Sequence, residues 1–125
     1  MAKILVVDDE TLLRTMLSDA LELAGHTVVV AVNGQDALAC AKDDPPDCIL
    51  LDVMMPGLDG YETCERLKAD PALAAIPVLL VSATTDLRVV DRAEQVGAVG
   101  VLPKPVPDEQ LQHAVAMALA TPPST

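Results

Sequence analysis

Five short aliphatic segments recur along this chain, and a longer amphipathic or polar stretch separates each from the next. They occupy residues 3–7, 27–32, 48–51, 76–81 and 99–102. Segments this short and this rich in Val, Ile and Leu favour β-strands over helices. Because their apolar residues run without alternation, the sequence predicts strands buried on both faces. That pattern is typical of a parallel sheet between two layers of helices.

The stretches between these segments carry apolar residues at helical spacing. The positions predicted to face inward are Leu13, Met16, Leu17, Ala20, Leu21 and Ala24, then Ala37, Leu38 and Ala41, then Tyr61, Cys64 and Leu67, then Leu87, Val90, Ala93 and Val96, and finally Leu111, Val115, Ala118 and Leu119. Gly25 and Gly97 mark helix ends, and Asp108 is predicted to cap the last helix. The sequence therefore predicts one α/β domain with five helices over residues 1–120. Residues 121–125 (TPPST) are a tail or the start of a linker.

The charge and aromatic content exclude several classes of partner. The chain has 8 Lys and Arg against 19 Asp and Glu, a net charge of −11. Binding to phosphate backbones needs a basic face, so we expect no direct nucleic-acid binding by this domain and no attraction to an anionic membrane. Tyr61 is the one aromatic residue, which nearly excludes base stacking.

The sequence also favours a cytoplasmic location. The apolar run near the N-terminus is too short for a signal peptide and ends in acids, and no stretch is long enough to span a membrane. Cys40, Cys48 and Cys64 are odd in number and lack the spacing of a metal site. We therefore expect reduced thiols that pack as small apolar residues.

Chemically active side chains follow four of the predicted strands. Asp8, Asp9 and Glu10 follow the first, Asp52 the third, Ser82 and Thr84 the fourth, and Lys104 the fifth. Ligands of open α/β sheets bind at the carboxyl ends of the strands, so these groups are expected at one edge. Clustered carboxylates repel unless a cation compensates them, and Mg²⁺ prefers oxygen ligands. Together with a lysine and a hydroxyl, they suit a metal-bound phosphoryl group.

Four motifs at this edge strongly resemble the receiver domain of response regulators from bacterial two-component systems, including chemotaxis regulators. They are ILVVDDE (4–10), ILLDVMMPGLDGYE (49–62), VLLVSA (78–83) and GAVGVLPKP (97–105). The resemblance covers residues 1 to about 120. It implies a flavodoxin-like, doubly wound, five-stranded parallel sheet in the order 2-1-3-4-5.

The resemblance also implies a role for each motif residue. Asp52 would be the phosphoacceptor, with Lys104 and Ser82 binding the phosphoryl oxygens. Asp8, Asp9, Asp52 and the backbone carbonyl of Met54 would hold Mg²⁺. Ala83 would leave the phosphoryl group accessible, and Lys104-Pro105 would be a cis peptide. Such a domain is not an enzyme in the ordinary sense, because it catalyses only its own phosphorylation and dephosphorylation.

The implied partners are those of a signalling switch. The donor would be a histidine kinase or a histidine phosphotransfer protein, docking on the first helix around Leu13, Arg14 and Leu17. The signal would pass to an output partner or to a C-terminal output domain, neither of which the sequence identifies. The resemblance also allows a homodimer through the fourth helix, fifth strand and fifth helix.

Two departures from the family pattern affect the switch. Val101 stands where the family usually has a Tyr or Phe that rotates on activation, and Val106 replaces a common Phe. We therefore expect a smaller switch, in which Ser82 and the rest of segment 82–85 rearrange with the fourth helix beside Val101. Met54 and Thr84 occupy the positions that tune hydrolysis in the family. Neither is an acid or an amide that could orient a water, which predicts slow self-dephosphorylation.

Other readings of the acidic edge remain open from the sequence. A Mg²⁺-dependent phosphohydrolase of the haloacid dehalogenase type also uses an Asp nucleophile, but it needs DxDx[TV] after the first strand. Here that stretch is Asp8-Asp9-Glu10-Thr11. A nucleotide-binding domain would need a GxGxxG or GxxxxGK[ST] loop, which is absent. An interaction module that is never phosphorylated would have no need of Asp52 and Lys104.

Overall fold

The computed structural model describes residues 2–84 and 86–120 of the chain. The strands are β1 (Lys3–Val7), β2 (Thr27–Ala31), β3 (Cys48–Asp52), β4 (Val78–Ser82) and β5 (Gly100–Pro103). The helices are α1 (Thr11–Leu23), α2 (Gly34–Asp43), α3 (Gly60–Ala69), α4 (Leu87–Gln95) and α5 (Asp108–Ala120). All strand pairs are parallel and the sheet order is β2-β1-β3-β4-β5, which confirms the predicted fold. Thr85 and the predicted tail at 121–125 lie outside the described residues.

Two hydrophobic clusters lie on opposite faces of the sheet because successive strand residues point to opposite sides. Leu5, Ile49 and Leu80 pack on one face with residues of α2, α3 and α4. Ile4 and Leu50 pack on the other face with residues of α1 and α5. Strands β1, β3 and β4 are therefore buried on both sides, as predicted.

Strand β2 departs from the prediction that every strand is buried on both faces. It forms one edge of the sheet, where Val29 is 38% and Val30 is 45% exposed. Strand β5 forms the other edge, and Leu102 alone of its four residues is fully buried. A continuous apolar run cannot by itself distinguish an edge strand from a central one, because that depends on the sheet order.

Several helix positions also differ from the sequence prediction. Met16, Leu87 and Val90, predicted to face inward, are exposed at 54%, 80% and 42%. Ala24 is exposed too. Asp108 is the first residue of α5 and not its cap. Apolar spacing identified these helices correctly, but the two-layer packing uses a narrower face of each than the spacing indicated.

The helix boundaries follow from local chemistry. Asn33 caps α2, its side chain accepting a hydrogen bond from the Asp36 amide at 2.8 Å. Gly25 and Gly97, the predicted helix stops, have φ values of 95° and 88°, which disfavour any residue with a Cβ. No helix within residues 2–84 and 86–120 combines the length and apolar character required to span a membrane.

Candidate functional site

The carboxyl ends of the central strands bring the predicted site residues to one edge of the sheet. Asp52 is the last residue of β3 and Ser82 the last of β4, while Asp8 directly follows β1. All three are buried, with no more than 3% of each residue exposed. The Lys104 amide donates a hydrogen bond to the Ser82 carbonyl at 2.9 Å. This bond places Lys104 beside the end of β4. The predicted edge is thus confirmed as a structural feature.

Asp8, Asp9 and Asp52 form the carboxylate group of this edge. One oxygen from each lies within 4.8 Å of the others, with Asp8 and Asp52 buried and Asp9 exposed. Asp8 Oδ1 accepts a hydrogen bond from the Glu10 amide at 2.9 Å, and Asp52 Oδ1 accepts one from the Met54 amide at 3.4 Å. The Met54 backbone therefore adjoins the group, while the residue itself is 74% exposed.

This donor set fits a hard divalent cation. Three carboxylates facing one point supply the oxygen ligands that Mg²⁺ prefers, and Asp9 is open to solvent. The buried Oδ2 atom of Asp8 accepts no hydrogen bond from residues 2–84 or 86–120. Lys104 Nζ approaches this oxygen only to 3.5 Å, so a bound cation would stabilise it further.

Lys104 is the cation that already faces these acids. Its Nζ lies 2.9 Å from Asp52 Oδ2, 3.5 Å from Asp8 Oδ2 and 3.8 Å from Glu10 Oε1. Burial lowers the pKa of Lys104, but these carboxylates raise it more, so the net pKa lies above its ordinary value. Lys104 therefore remains an ammonium at any physiological pH.

The pKa of Asp52 is raised, although an acid beside a cation usually has a lowered pKa. Its net value is about 6, because burial and the negative charge of Asp8 raise it more than the Lys104 ammonium and the Met54 amide lower it. A carboxylate with this pKa is still largely ionised at pH 7 and above. It is also more basic, and so more nucleophilic, than an exposed aspartate.

Two contacts fix the backbone around the acids. Arg14 Nη1 donates to the Asp8 carbonyl at 2.8 Å, tying the first turn of α1 to the end of β1. On the other side, Gly60 starts α3 directly against β3. A Cβ at Gly60 would lie 2.7 Å from the Val53 Cα and 3.0 Å from the Asp52 carbonyl carbon, so only glycine fits there.

The same contacts correct the predicted docking residues on α1. The Arg14 side chain turns toward the site, and Leu17 is buried in the core at 5% exposure. The large apolar residues that α1 exposes are Leu12, at 74%, Met16, at 54%, and Leu23, at 90% near the end of the helix. Leu17 is therefore unavailable to a partner, although the inward direction predicted from its helical spacing is confirmed.

The predicted switch positions lie on β4 and β5. Ser82 Oγ accepts a hydrogen bond from the Thr84 amide at 3.3 Å. Val101 is half-buried against the core cluster on the α2, α3 and α4 face, and it lines a groove of about 280 Å³ between α4 and β5. The Lys104–Pro105 peptide is cis, as predicted.

Glu10 is the residue whose contact the sequence did not reveal. The sequence places Glu10 among the acids that follow the first strand, and the family resemblance implies no role for it. The signal that could have found it is its identity at a helix start, where Ser, Thr, Asp or Asn is the ordinary residue.

Comparison with known proteins agrees with this geometry. The family model "Response regulator receiver domain" matches residues 4–116. Protein PilH of Pseudomonas aeruginosa is 39% identical over 122 residues, which cover 96% of this chain and 99% of PilH. Response regulator PleD of Caulobacter vibrioides is 43% identical over 110 residues, covering 88% of this chain and 24% of PleD, so the chain spans about a quarter of that relative.

Solved structures show the same likeness. The chemotaxis protein CheY4 of Vibrio cholerae superposes with a TM-score of 0.91 at 34% identity, covering 94% of this chain and 98% of CheY4. The fold and the acidic edge with its lysine define a phosphoryl-accepting signalling domain. The chain belongs to the response regulator receiver domain family, whose members act as phosphoryl-accepting switches in two-component signalling. The comparisons give no support to the phosphohydrolase alternative.

Proposed function

We propose that Asp52 accepts a phosphoryl group from a histidine kinase or a histidine phosphotransfer protein and that the domain then changes its binding to an output partner. The observation that carries this proposal is the 2.9 Å contact between Lys104 Nζ and Asp52 Oδ2 inside the carboxylate group. A buried aspartate with a raised pKa and a fixed ammonium beside it is equipped to attack phosphorus.

The reaction is a displacement at phosphorus. A carboxylate oxygen of Asp52 forms the new P–O bond as the P–N bond of phosphohistidine breaks, and the imidazole leaves with its electron pair and takes a proton from water. Lys104 neutralises charge on the phosphoryl oxygens during transfer. Ser82, on the adjacent strand, donates its hydroxyl to the transferred group.

Mg²⁺ is the cation that this site would take. Asp8, Asp9, Asp52 and the Met54 carbonyl would hold it. When bound, it would supply further neutralisation of the phosphoryl charge. The domain acts on no separate substrate in this proposal, since Asp52 is consumed at each transfer and restored by hydrolysis.

The proposed switch is local. Ser82 draws segment 82–84 toward the phosphoryl group, and α4 shifts over the groove beside Val101. Val101, which lines that groove, carries a small aliphatic side chain and no aromatic ring. The exposed α1 residues Leu12 and Met16 form the proposed docking site for the phosphodonor, and α4, β5 and α5 the surface for an output partner or a second copy.

The remaining parts of the proposal concern the whole protein. We propose that residues 1–120 form the receiver domain, that 121–125 are a tail or the start of a linker, and that the domain works in the cytoplasm with its phosphodonor. Support comes from the family match over residues 4–116.

Metal dependence tests the proposal. Acetyl phosphate, a small phosphodonor, should label the protein in the presence of Mg²⁺ and not after chelation with EDTA. Asp9→Asn should raise the Mg²⁺ concentration needed for half-maximal labelling by about tenfold or more. Equal labelling with and without Mg²⁺ would refute the metal's role.

A further inference from the structure

Glu10 occupies the cap position of α1 but does not cap it. The residue has extended backbone angles, φ −90° and ψ 117°, and its side chain makes no hydrogen bond to the helix. Ser, Thr, Asp or Asn at such a position would satisfy one of the free amides of the first turn. The first turn of α1 therefore has no capping side chain at this position.

The Glu10 side chain contacts Lys104 instead. Its Oε1 lies 3.8 Å from Lys104 Nζ, and its own amide donates to Asp8 Oδ1 at 2.9 Å. Glu10 thus adjoins both an acid of the cluster and the lysine that serves the phosphoacceptor. Its side chain is 67% exposed, whereas that of Lys104 is 15% exposed.

The three acids around Lys104 are not equivalent in the proposed reaction. Asp52 loses its free carboxylate when it is phosphorylated, and Asp8 is assigned to the cation. Glu10 is the one carboxylate contact of Lys104, within the described chain, that the reaction leaves unchanged.

We infer that Glu10 is a positioning residue for Lys104. It holds the ammonium at the edge of the sheet, in reach of the phosphoryl oxygens, while the other two carboxylates are engaged. This inference rests on the proposed function, because it assigns Glu10 to the same transfer. It goes beyond that function because it assigns a role to Glu10, which would act on the reaction by holding Lys104 in place.

The test compares opposite effects on stability and on rate. Glu10→Ser supplies the missing cap, so the melting temperature of the metal-free protein should rise by a few degrees. The same variant should be labelled by acetyl phosphate and Mg²⁺ about two- to five-fold more slowly, the range expected for losing one exposed ion pair. Glu10→Gln should slow labelling equally. If Glu10 had only a structural role, its replacement would change the melting temperature and the labelling rate in the same direction.

Controls separate the possible failures. Glu22→Gln, at the far end of α1, makes the same charge change and should leave labelling unchanged. In a Lys104→Ala background, Glu10→Gln should have no further effect, and an undiminished effect would overturn the inference. Labelling of Glu10→Gln at the wild-type rate would overturn it too. Failure of the wild-type protein to be labelled would instead refute the proposed function.

Discussion

Lys104 Nζ lies 2.9 Å from Asp52 Oδ2, a contact that joins the end of β3 to the loop after β5. Strand β4 separates these strands in the sheet, so the pair forms only because the parallel fold brings both carboxyl ends to one edge. The contact opposes the effect of burial on Asp52, whose pKa nevertheless lies at about 6. In the proposed reaction, Lys104 would thus favour the nucleophilic form of Asp52 as well as bind the phosphoryl group that Asp52 accepts.

Lys104→Ala should slow labelling by acetyl phosphate about 10- to 100-fold. Loss of the ammonium removes a donor to the phosphoryl oxygens and raises the pKa of Asp52 further, which leaves less carboxylate at pH 7. Labelling rates followed by intact mass spectrometry measure the effect. Lys42→Ala, an exposed lysine in the last turn of α2, serves as the control. A change of less than twofold in Lys104→Ala would contradict the assignment.

Asp52→Asn should stabilise the metal-free protein at pH 7 by about 3 kcal/mol. The folded pKa of Asp52, about 6, is raised above the ordinary value of 3.8, so the folded state holds the proton more tightly. Wild-type stability therefore falls as pH rises from about 4 to about 6, and the variant lacks this loss. Urea unfolding followed by circular dichroism in EDTA measures the difference.

Wild-type protein and Asp52→Asn also separate the effect of Mg²⁺ on stability from the effect of the Asp52 charge alone. The stability advantage of Asp52→Asn should shrink below pH 6 and nearly vanish by pH 4. Added Mg²⁺ should stabilise the wild-type protein more than the variant, because Asp52 is a proposed ligand. An advantage independent of pH would mean that Asp52 has an ordinary pKa.

Gly60→Ala should destabilise the domain by about 1–3 kcal/mol, because its Cβ would meet the backbone of Asp52 and Val53. Gly100→Ala is the matched control, since its Cβ would contact only the Leu79 Cδ2 at 3.3 Å, the end of a flexible side chain. Thermal unfolding of both variants compares them. Equal melting temperatures would show that α3 can move away from β3 at little cost.

Phosphorylated wild-type protein should lose its phosphoryl group over minutes or longer. Met54, which is 74% exposed, and Thr84 offer no acid or amide beside Asp52 to orient an attacking water. Met54→Asn combined with Thr84→Glu should shorten the half-life about tenfold or more. Removing the donor and following intact mass with time gives both half-lives. A wild-type half-life of seconds would contradict this expectation.

The parallel sheet and the acidic edge were predictable because each strand is a short apolar run that ends in a chemically distinct residue. Asp52 and Lys104 stood at strand ends in the sequence, and the fold needed only to align those ends. The burial of individual side chains was harder to predict. The apolar pattern predicts that Val30 and Leu87 are core residues. Their exposure depends on sheet order and helix rotation, which local patterns do not encode.

The contacts of Glu10 and Arg14 could not be predicted for a related reason. Glu10 lies two residues and Arg14 six residues after Asp8, yet Glu10 contacts Lys104 across the sheet edge and Arg14 turns back onto the Asp8 carbonyl. Each contact depends on a side-chain direction set by the packing of α1 against β1. The family resemblance implied roles for Asp8 and Asp9 in the site, none for Glu10, and only a docking role for Arg14.

Intact mass after incubation with acetyl phosphate and Mg²⁺ tests the central claim most directly. We expect the wild-type protein to gain the mass of one phosphoryl group and Asp52→Asn, which keeps the side-chain shape, to gain none. Peptide mapping of the labelled protein should locate the group on Asp52. A wild-type protein that gains no mass, or an Asp52→Asn variant that gains the same mass, would contradict the assignment of Asp52 as the phosphoacceptor.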